Sequence, residues 1–303
     1  MRPFVRIFPA IVLVLASTAI PQSLSKLNVL FIGKQEPEKY HDPHARYLEF
    51  KAPMSDRGII IDYTEDYSKV TDEGLKPYDV VMVYTMHFDW GKGSEVDAVK
   101  RFVESGKGLV GVHIATAIWG NAEWTALIGA LFVNHDYGNP ILLDIVNPDH
   151  EALQGVPTSI PALDESYWFD ANRNAKDRVI LQRRRDMVEA APDDWTWVRN
   201  QGRGRVYYTA AGHDAAWRTA EFQKQLEVAI RWASGSYSAT GLSSQNGKAS
   251  PSAPLLRIDR LGRLSFSGYE PGMAGFGRPD LIGMNGRLIG SSPKIRSDNI
   301  KRN

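Results

Sequence analysis

Four short, unbroken apolar runs dominate the first third of the chain: LNVLFIG at 27–33, IIIDYT at 59–64, YDVVMVYT at 78–85 and GLVGVH at 108–113. A strand exposed on one face alternates apolar with polar residues, whereas an unbroken run implies burial on both faces. Segments of helical character lie between the runs. Residues 40–57 are helical in part, and 95–105 places Val96, Val99, Phe102 and Val103 on one face. Strands buried on both faces, alternating with helices, require a parallel sheet covered by helices on each side, with right-handed crossovers. The expected fold is a doubly wound, mostly parallel, flavodoxin-like α/β sheet.

Beyond residue 119 the pattern is more mixed. Residues 119–131 read as a helix and 141–146 as a strand. Residues 163–170 look extended, and 178–181 and 195–200 look like strands with a hairpin between them. Residues 204–214 form a strong strand ending at Gly212. Residues 220–233 close the domain as an amphipathic helix with Phe222, Leu226, Ala229, Ile230 and Ala233 on one face. The expected organisation is a main domain over 27–235, a Ser/Gly-rich linker over 236–254 and a C-terminal extension over 255–303, disordered in part. Within that extension, LLRIDRLGRLSFSG suits a hairpin.

The N-terminus has Arg2 and Arg6 ahead of the apolar stretch IVLVLASTA, followed by small residues at Ser17 and Ala19. That pattern reads as a signal peptide over 1–19, with an uncleaved anchor as the competing reading, and predicts export to a periplasm or beyond. The apolar stretch is shorter than the roughly 20 residues of a membrane span, so no stable span is expected after its removal. A net charge of +1 offers no footprint for nucleic acid. The run Arg183-Arg184-Arg185 is short, precedes Asp186 and reads as a solvated face. The chain has no cysteine, which excludes thiol nucleophiles, disulfides and thiolate metal sites.

Five of the seven histidines follow expected strands: His41 and His44 after the first, His87 after the third, His113 at the end of the fourth and His213 after the strand at 204–212. Parallel strands end on one edge of their sheet, and open α/β sheets bind ligands outside those ends. Asp89, Trp90, Trp119, Asp214 and Trp217 lie in the same loops. Rings and carboxylates in one cleft suit a sugar. His113 sits where a buried strand turns into the helix expected from Ala115. The positive end of that helix would disfavour imidazolium and favour a neutral base or a metal ligand. His41, His113 and His213 are candidates for a divalent cation such as zinc or manganese, although no HExxH spacing is present. GKQEPEK after the first strand is not GxGxxG, and no Walker pattern occurs. In LDESYWF, Asp164 and Glu165 are adjacent, so an extended strand would turn only one into the cleft. Trp168 and Phe169 read as core.

The ordered set GKGLVGVHIAT, WTALIGALFVNH, DHEALQGVP, LDESYWF, GRGRVYYTAAGHD and FQKQLEVAIRWASG resembles the ThuA-like family, the trehalose-utilisation proteins. The KYHDPH and YDVVMVYT segments fit as well. The resemblance implies a fold similar to class I glutamine amidotransferases, which carry a nucleophilic cysteine at the strand-to-helix elbow. Here the elbow residue is His113, so thiolate chemistry is excluded and the imidazole reads as base, hydrogen-bond donor or ligand. The family's recurrent positions correspond to His41, His113, His135, His150, Glu165 and His213. Two departures stand out: Gly106-Lys107-Gly108 replaces a Gly-Gly-Gly run, and His150 precedes Glu151 where the family commonly has His-Pro.

The resemblance implies sugar metabolism, with a disaccharide or its 3-keto derivative as substrate. On this reading His113 and Glu165 are the catalytic pair. His41, Trp119, His135, His213 and Asp214 bind substrate, and the reaction is an isomerisation, elimination or hydrolysis. The alternative is a non-catalytic sugar-binding accessory protein on the same fold. Hydrolysis through Ser105 or Thr116 lacks a GxSxG and is disfavoured.

Overall fold

The computed structural model describes residues 25–185, 193–236, 256–258 and 264–266. The expected signal peptide and nearly all of the expected linker lie outside the described residues. The chain divides into two units, Met1–Asn246 and Gly247–Asn303. Of the second, one antiparallel pair is described, β10 (Leu256–Ile258) with β11 (Leu264–Phe266), as the hairpin reading expected.

The first unit is built on a nine-stranded sheet in the order β2-β1-β3-β4-β9-β8-β7-β5-β6. Strands β1 (Leu27–Ile32), β2 (Ile59–Thr64), β3 (Val80–Val83), β4 (Gly108–Val112) and β9 (Gly204–Thr209) pair in parallel. Their 2-1-3-4-9 order is the flavodoxin-type arrangement, with its switch point at β1/β3. The other half departs from the expected mostly parallel sheet. Strands β5 (Phe132–Ile145), β6 (Ser159–Phe169), β7 (Val179–Arg184) and β8 (Asp193–Gln201) all pair antiparallel, so parallel and antiparallel pairings are equal in number.

Local chemistry explains the helices. α1 (Pro43–Ser55) starts where the Asp42 carboxylate accepts the Ala45 N–H at 2.9 Å and Pro43 presets the first turn. α3 (Glu95–Glu104) and α5 (Ala220–Ala233) bury the apolar faces read from the sequence. α1 packs with α5, while α2 (Asp72–Leu75) and α4 (Ala122–Ile128) pack with α3, giving two helical layers around the parallel strands. Among the described residues, no helix is long and apolar enough to cross a membrane. The elbow is shorter than expected. His113–Thr116 is a single 3-10 turn, and α4 begins only at Ala122, where Asn121 caps it.

Two of the expected cleft tryptophans belong to the core. Trp217 is 0% exposed among Phe31, Phe50, Tyr84 and Phe222, and its indole N–H donates to the Gly212 carbonyl at 2.6 Å. Trp90 is 2% exposed against Tyr67 and Trp124. A ring large enough to serve as a sugar platform buries more apolar area in the core than in a cleft. Trp217→Ala is expected to cost about 3–5 kcal/mol, read as a lower urea midpoint at unchanged slope.

The arginine run is not a solvated face. On β7 the side chains alternate, so Arg184 turns inward. It is fully buried, lies over the Trp195 ring and donates to the Glu165 carbonyl at 2.6 Å. Arg183 pairs with Asp194 and Arg185 with Asp144 on the outer side. Trp168 and Phe169 are half-buried, and Phe169 packs against the core as expected.

Candidate active site

Loops at the carboxyl ends of β1, β4 and β9 bring His41, His113 and His213 together, with ring centroids 5.5–5.7 Å apart. The fourth wall is the β5–β6 ribbon, which carries His135, Glu165 and Tyr167. Tyr167 stacks on His113 at 4.5 Å between centroids. Glu165 is nearly buried at the centre: Oε2 lies 3.4 Å from His113 Nε2, while Oε1 lies 3.7 Å from His135 Nδ1 and 3.5 Å from His213 Nε2. The two oxygens thus face different groups.

The elbow holds His113 in the left-handed region, with φ of 49°, an uncommon conformation for a side chain of this size. Its side chain is 0% exposed. Nδ1 donates to the Ala210 carbonyl at 2.7 Å, which leaves Nε2 to face the Tyr167 hydroxyl at 3.0 Å and Glu165. Burial pushes this imidazole toward neutrality. The hydrogen bond to Glu165 and the charges of Asp164 and Glu165 outweigh burial, and the pKa is raised. This corrects the expectation of a neutral base or ligand at a helix N-terminus. The turn supplies no long helix, and two carboxylates reach the ring from β6. Both ring nitrogens are engaged, so His113 is neither open to substrate nor placed to hold a metal; it acts through Glu165.

Burial likewise pushes the Glu165 carboxyl up, but the hydrogen bond and charge of His113, with His213 and His135 beyond, hold it down at about 2. His213 is lowered, by burial first and then by the His113 charge.

Asp164 does not face away from the cleft as strand alternation predicts. β5–β6 pairing is irregular here, and the carboxylate folds back to accept the Gly212 N–H at 2.9 Å and the His213 N–H at 3.3 Å. It clamps the ribbon to the loop that carries His213. Glu36 was also missed. It lies in the GKQEPEK loop, read only for its lack of a nucleotide motif. Its Oε1 accepts the His41 backbone N–H at 2.7 Å and faces His41 Nδ1 at 3.3 Å. Burial opposes ionisation of Glu36, but the hydrogen bonds and charge of His41 lower its pKa. An acid a few residues past a strand end was the available signal.

Other expected residues lie elsewhere. Trp119 is 55% exposed beside the ribbon, its indole N–H donating to the Phe132 carbonyl at 3.1 Å. Asp214 is half-exposed and anchored by Arg46, whose guanidinium donates to its carbonyl at 2.6 Å; its carboxylate is 4.0 Å from His213 Nδ1. His44, on α1, lies tilted against the Tyr63 ring of β2, and His87 sits with Asp89 and Lys34 at the β3 end. His150 caps a 3-10 turn and packs on Trp232. The neighbouring Ala233 backbone lies against Gly108, where β4 begins, so His150 is on the opposite edge from His113.

As a metal site the converging donors are His41, Glu165 and His213, whose ligand atoms lie within 4.8 Å of one another. Glu165 stands where His113 was expected.

The family model for ThuA, trehalose utilisation, matches residues 28–233. The chain belongs to the ThuA family. The fold is accordingly glutamine amidotransferase-like, in a family of carbohydrate metabolism. A ThuA-like protein of Bacteroides uniformis is similar at 25% identity and a TM-score of 0.57, over 68% of this chain and 91% of that one. A ThuA-like protein of Parabacteroides merdae shares the fold at 16% identity and a TM-score of 0.54, over 76% of this chain and 94% of that one. No curated protein matches the sequence. Against this ThuA frame, the elbow that bears cysteine in the amidotransferases bears a buried histidine bound to a carboxylate from the ribbon.

Proposed function

We propose that this ThuA-family chain is an exported enzyme that moves a proton on an oxidised disaccharide, at the C–H beside a 3-keto group. The observation that carries the reading is Glu165, a nearly buried carboxylate with three histidines around it and His41 completing the cluster. A keto group acidifies the neighbouring C–H, and a histidine–carboxylate pair at the cleft is suited to remove that proton. His135 is the half-buried partner of Glu165 on the ribbon and takes the role of base. His113 is a positioning residue that keeps Glu165 ionised. His41 and His213 face the carbonyl oxygen, where negative charge develops. Trp119 offers an exposed ring for the far sugar.

In a 3-keto glycoside the proton on C2 passes to the base and its electron pair forms the enolate. Return of a proton to C2 from the opposite face gives the C2 epimer, an isomerisation. Alternatively, the pair forms C1=C2, the C1–O bond breaks, and the departing sugar oxygen is protonated.

The test is turnover of 3-keto-trehalose and other 3-keto-glucosides by the purified protein, followed by NMR in deuterated water. Deuterium beside the carbonyl, or a new product, is expected, and His135→Ala should lower the rate roughly 10²–10⁴-fold. Ligand-induced shifts without exchange or product would replace the enzyme with a sugar-binding protein. Export is checked by the intact mass of the secreted protein, expected to lack residues 1–19.

A further inference from the structure

We propose that His41 Nε2, Glu165 Oε1 and His213 Nε2 bind one divalent transition-metal ion, with Glu36 as the carboxylate that orients His41. One ligand atom from each of the three residues lies within 4.8 Å of the others, a span that small side-chain rotations close around an ion about 2.1 Å from each.

Two details point to an ion rather than to a set of hydrogen bonds. First, His41 is buried and its Nε2 has no hydrogen-bond partner among the described residues. A buried imidazole nitrogen is costly to leave unpaired. Glu36 Oε1, facing Nδ1 at 3.3 Å, fixes the proton there and presents the Nε2 lone pair to the site. A carboxylate–histidine pair of this kind orients and strengthens a metal ligand. Second, Glu165 Oε1 and His213 Nε2 face each other at 3.5 Å. That separation is beyond an ordinary hydrogen bond, and one ion about 2.1 Å from each atom would bridge the pair.

The donor set has an internal division. Glu165 uses Oε2 toward His113 and has Oε1 for the ion, so the elbow histidine orients the ligand from behind. The Asp164 clamp on the Gly212 and His213 N–H groups fixes the second histidine, as Glu36 fixes the first. Two imidazoles and one carboxylate suit zinc or manganese and leave coordination positions for a ligand from the cleft. When bound, such an ion supplies a Lewis acid for a carbonyl oxygen. That chemical use rests on the reading above, whereas the binding claim is tested without substrate.

Full-length mature protein is stripped with a chelator, dialysed and titrated with Zn²⁺ by calorimetry. Co²⁺ is then added to report coordination through its visible absorption. One saturable Zn²⁺ per chain is expected, together with a Co²⁺ spectrum of low coordination number. His213→Ala and His41→Ala should abolish stoichiometric binding while circular dichroism shows the fold retained. Glu36→Gln should keep the stoichiometry and weaken affinity about 10–100-fold. His150→Ala, on the opposite edge, should bind as the parent does. Absence of saturable Zn²⁺ and Co²⁺ binding to the folded parent would overturn the proposal, and so would unchanged affinity in a folded His213→Ala. If histidine variants unfold, the parent Co²⁺ spectrum and Glu36→Gln still decide it. Metal binding without turnover leaves this proposal standing and removes the enzyme reading; turnover without metal binding does the reverse.

Discussion

Glu165→Gln is expected to lower turnover roughly 10²–10⁴-fold and to flatten the acid arm of the stability curve. The carboxyl titrates at about 2 in the fold against an ordinary 4.5. Its contribution is therefore complete above pH 4.5 and is lost as pH falls toward 2. The shift corresponds to about 3 kcal/mol. His113 has the opposite sign: with a raised pKa, its contribution is complete below pH 6.5 and is lost as pH rises through the folded value. His213 is lowered and opposes His113 around neutrality. The acid window is where Glu165 is read most directly. Other carboxylates that are depressed, Glu36 among them, remain in the variant, so the parent-minus-variant difference isolates Glu165. The measurement is urea unfolding of both proteins between pH 2 and 7. A difference that does not change between pH 4.5 and 2 would show that His113 does not hold this carboxylate.

Gly212→Ala is expected to cost about 3 kcal/mol and to impair the site with it. Gly212 has φ of +147°, and a Cβ there would stand 2.8 Å from both His113 Cβ and Val112 Cγ1. Its N–H donates to Asp164, and its carbonyl accepts from Tyr84 and Trp217. An added methyl group therefore presses on the elbow histidine while loosening the clamp on His213. Gly120→Ala is the control. That residue also has positive φ, +96°, but no atom lies within 4 Å of its Cβ position. It should lose about 1 kcal/mol from backbone strain alone. Equal losses in the two variants would mean that contact with His113 is not what makes Gly212 necessary.

The parallel half of the fold was legible because its inner strands are buried on both faces and show it as apolar runs; Val80–Val83 and Gly108–Val112 are buried at every position. The antiparallel half was less so. β7 places a fully buried arginine between two that make outer ion pairs, and a residue count cannot distinguish that from a solvated run. The rim histidines 41, 113 and 213 followed from strand ends and topology. The charge states of His113 and His213 did not, because carboxylates that act on them arrive from β6, some fifty residues beyond the elbow. Trp119 and Trp217 have similar sequence surroundings at the end of a strand, yet one faces solvent and the other fills the core. That outcome depends on whether Phe31 and Phe50 lie opposite, which is a tertiary fact.

The ribbon pairs with the main sheet at Leu143–Ile145 against Gln182–Arg184, and further along it delivers His135, Glu165 and Tyr167 to the site. It is an arm rooted at one end by strand pairing, held mid-way by Arg184 at the Glu165 carbonyl and by Asp164, and seated at its far end by Phe169 against Trp197 and Tyr208. Half of the chemistry is therefore mounted on the sheet and half on an arm, and one of the ties that set the spacing between them is a carboxylate gripping two backbone amides. Reshaping the arm would redirect the site toward a differently sized ligand while the parallel sheet and its histidines stay in place.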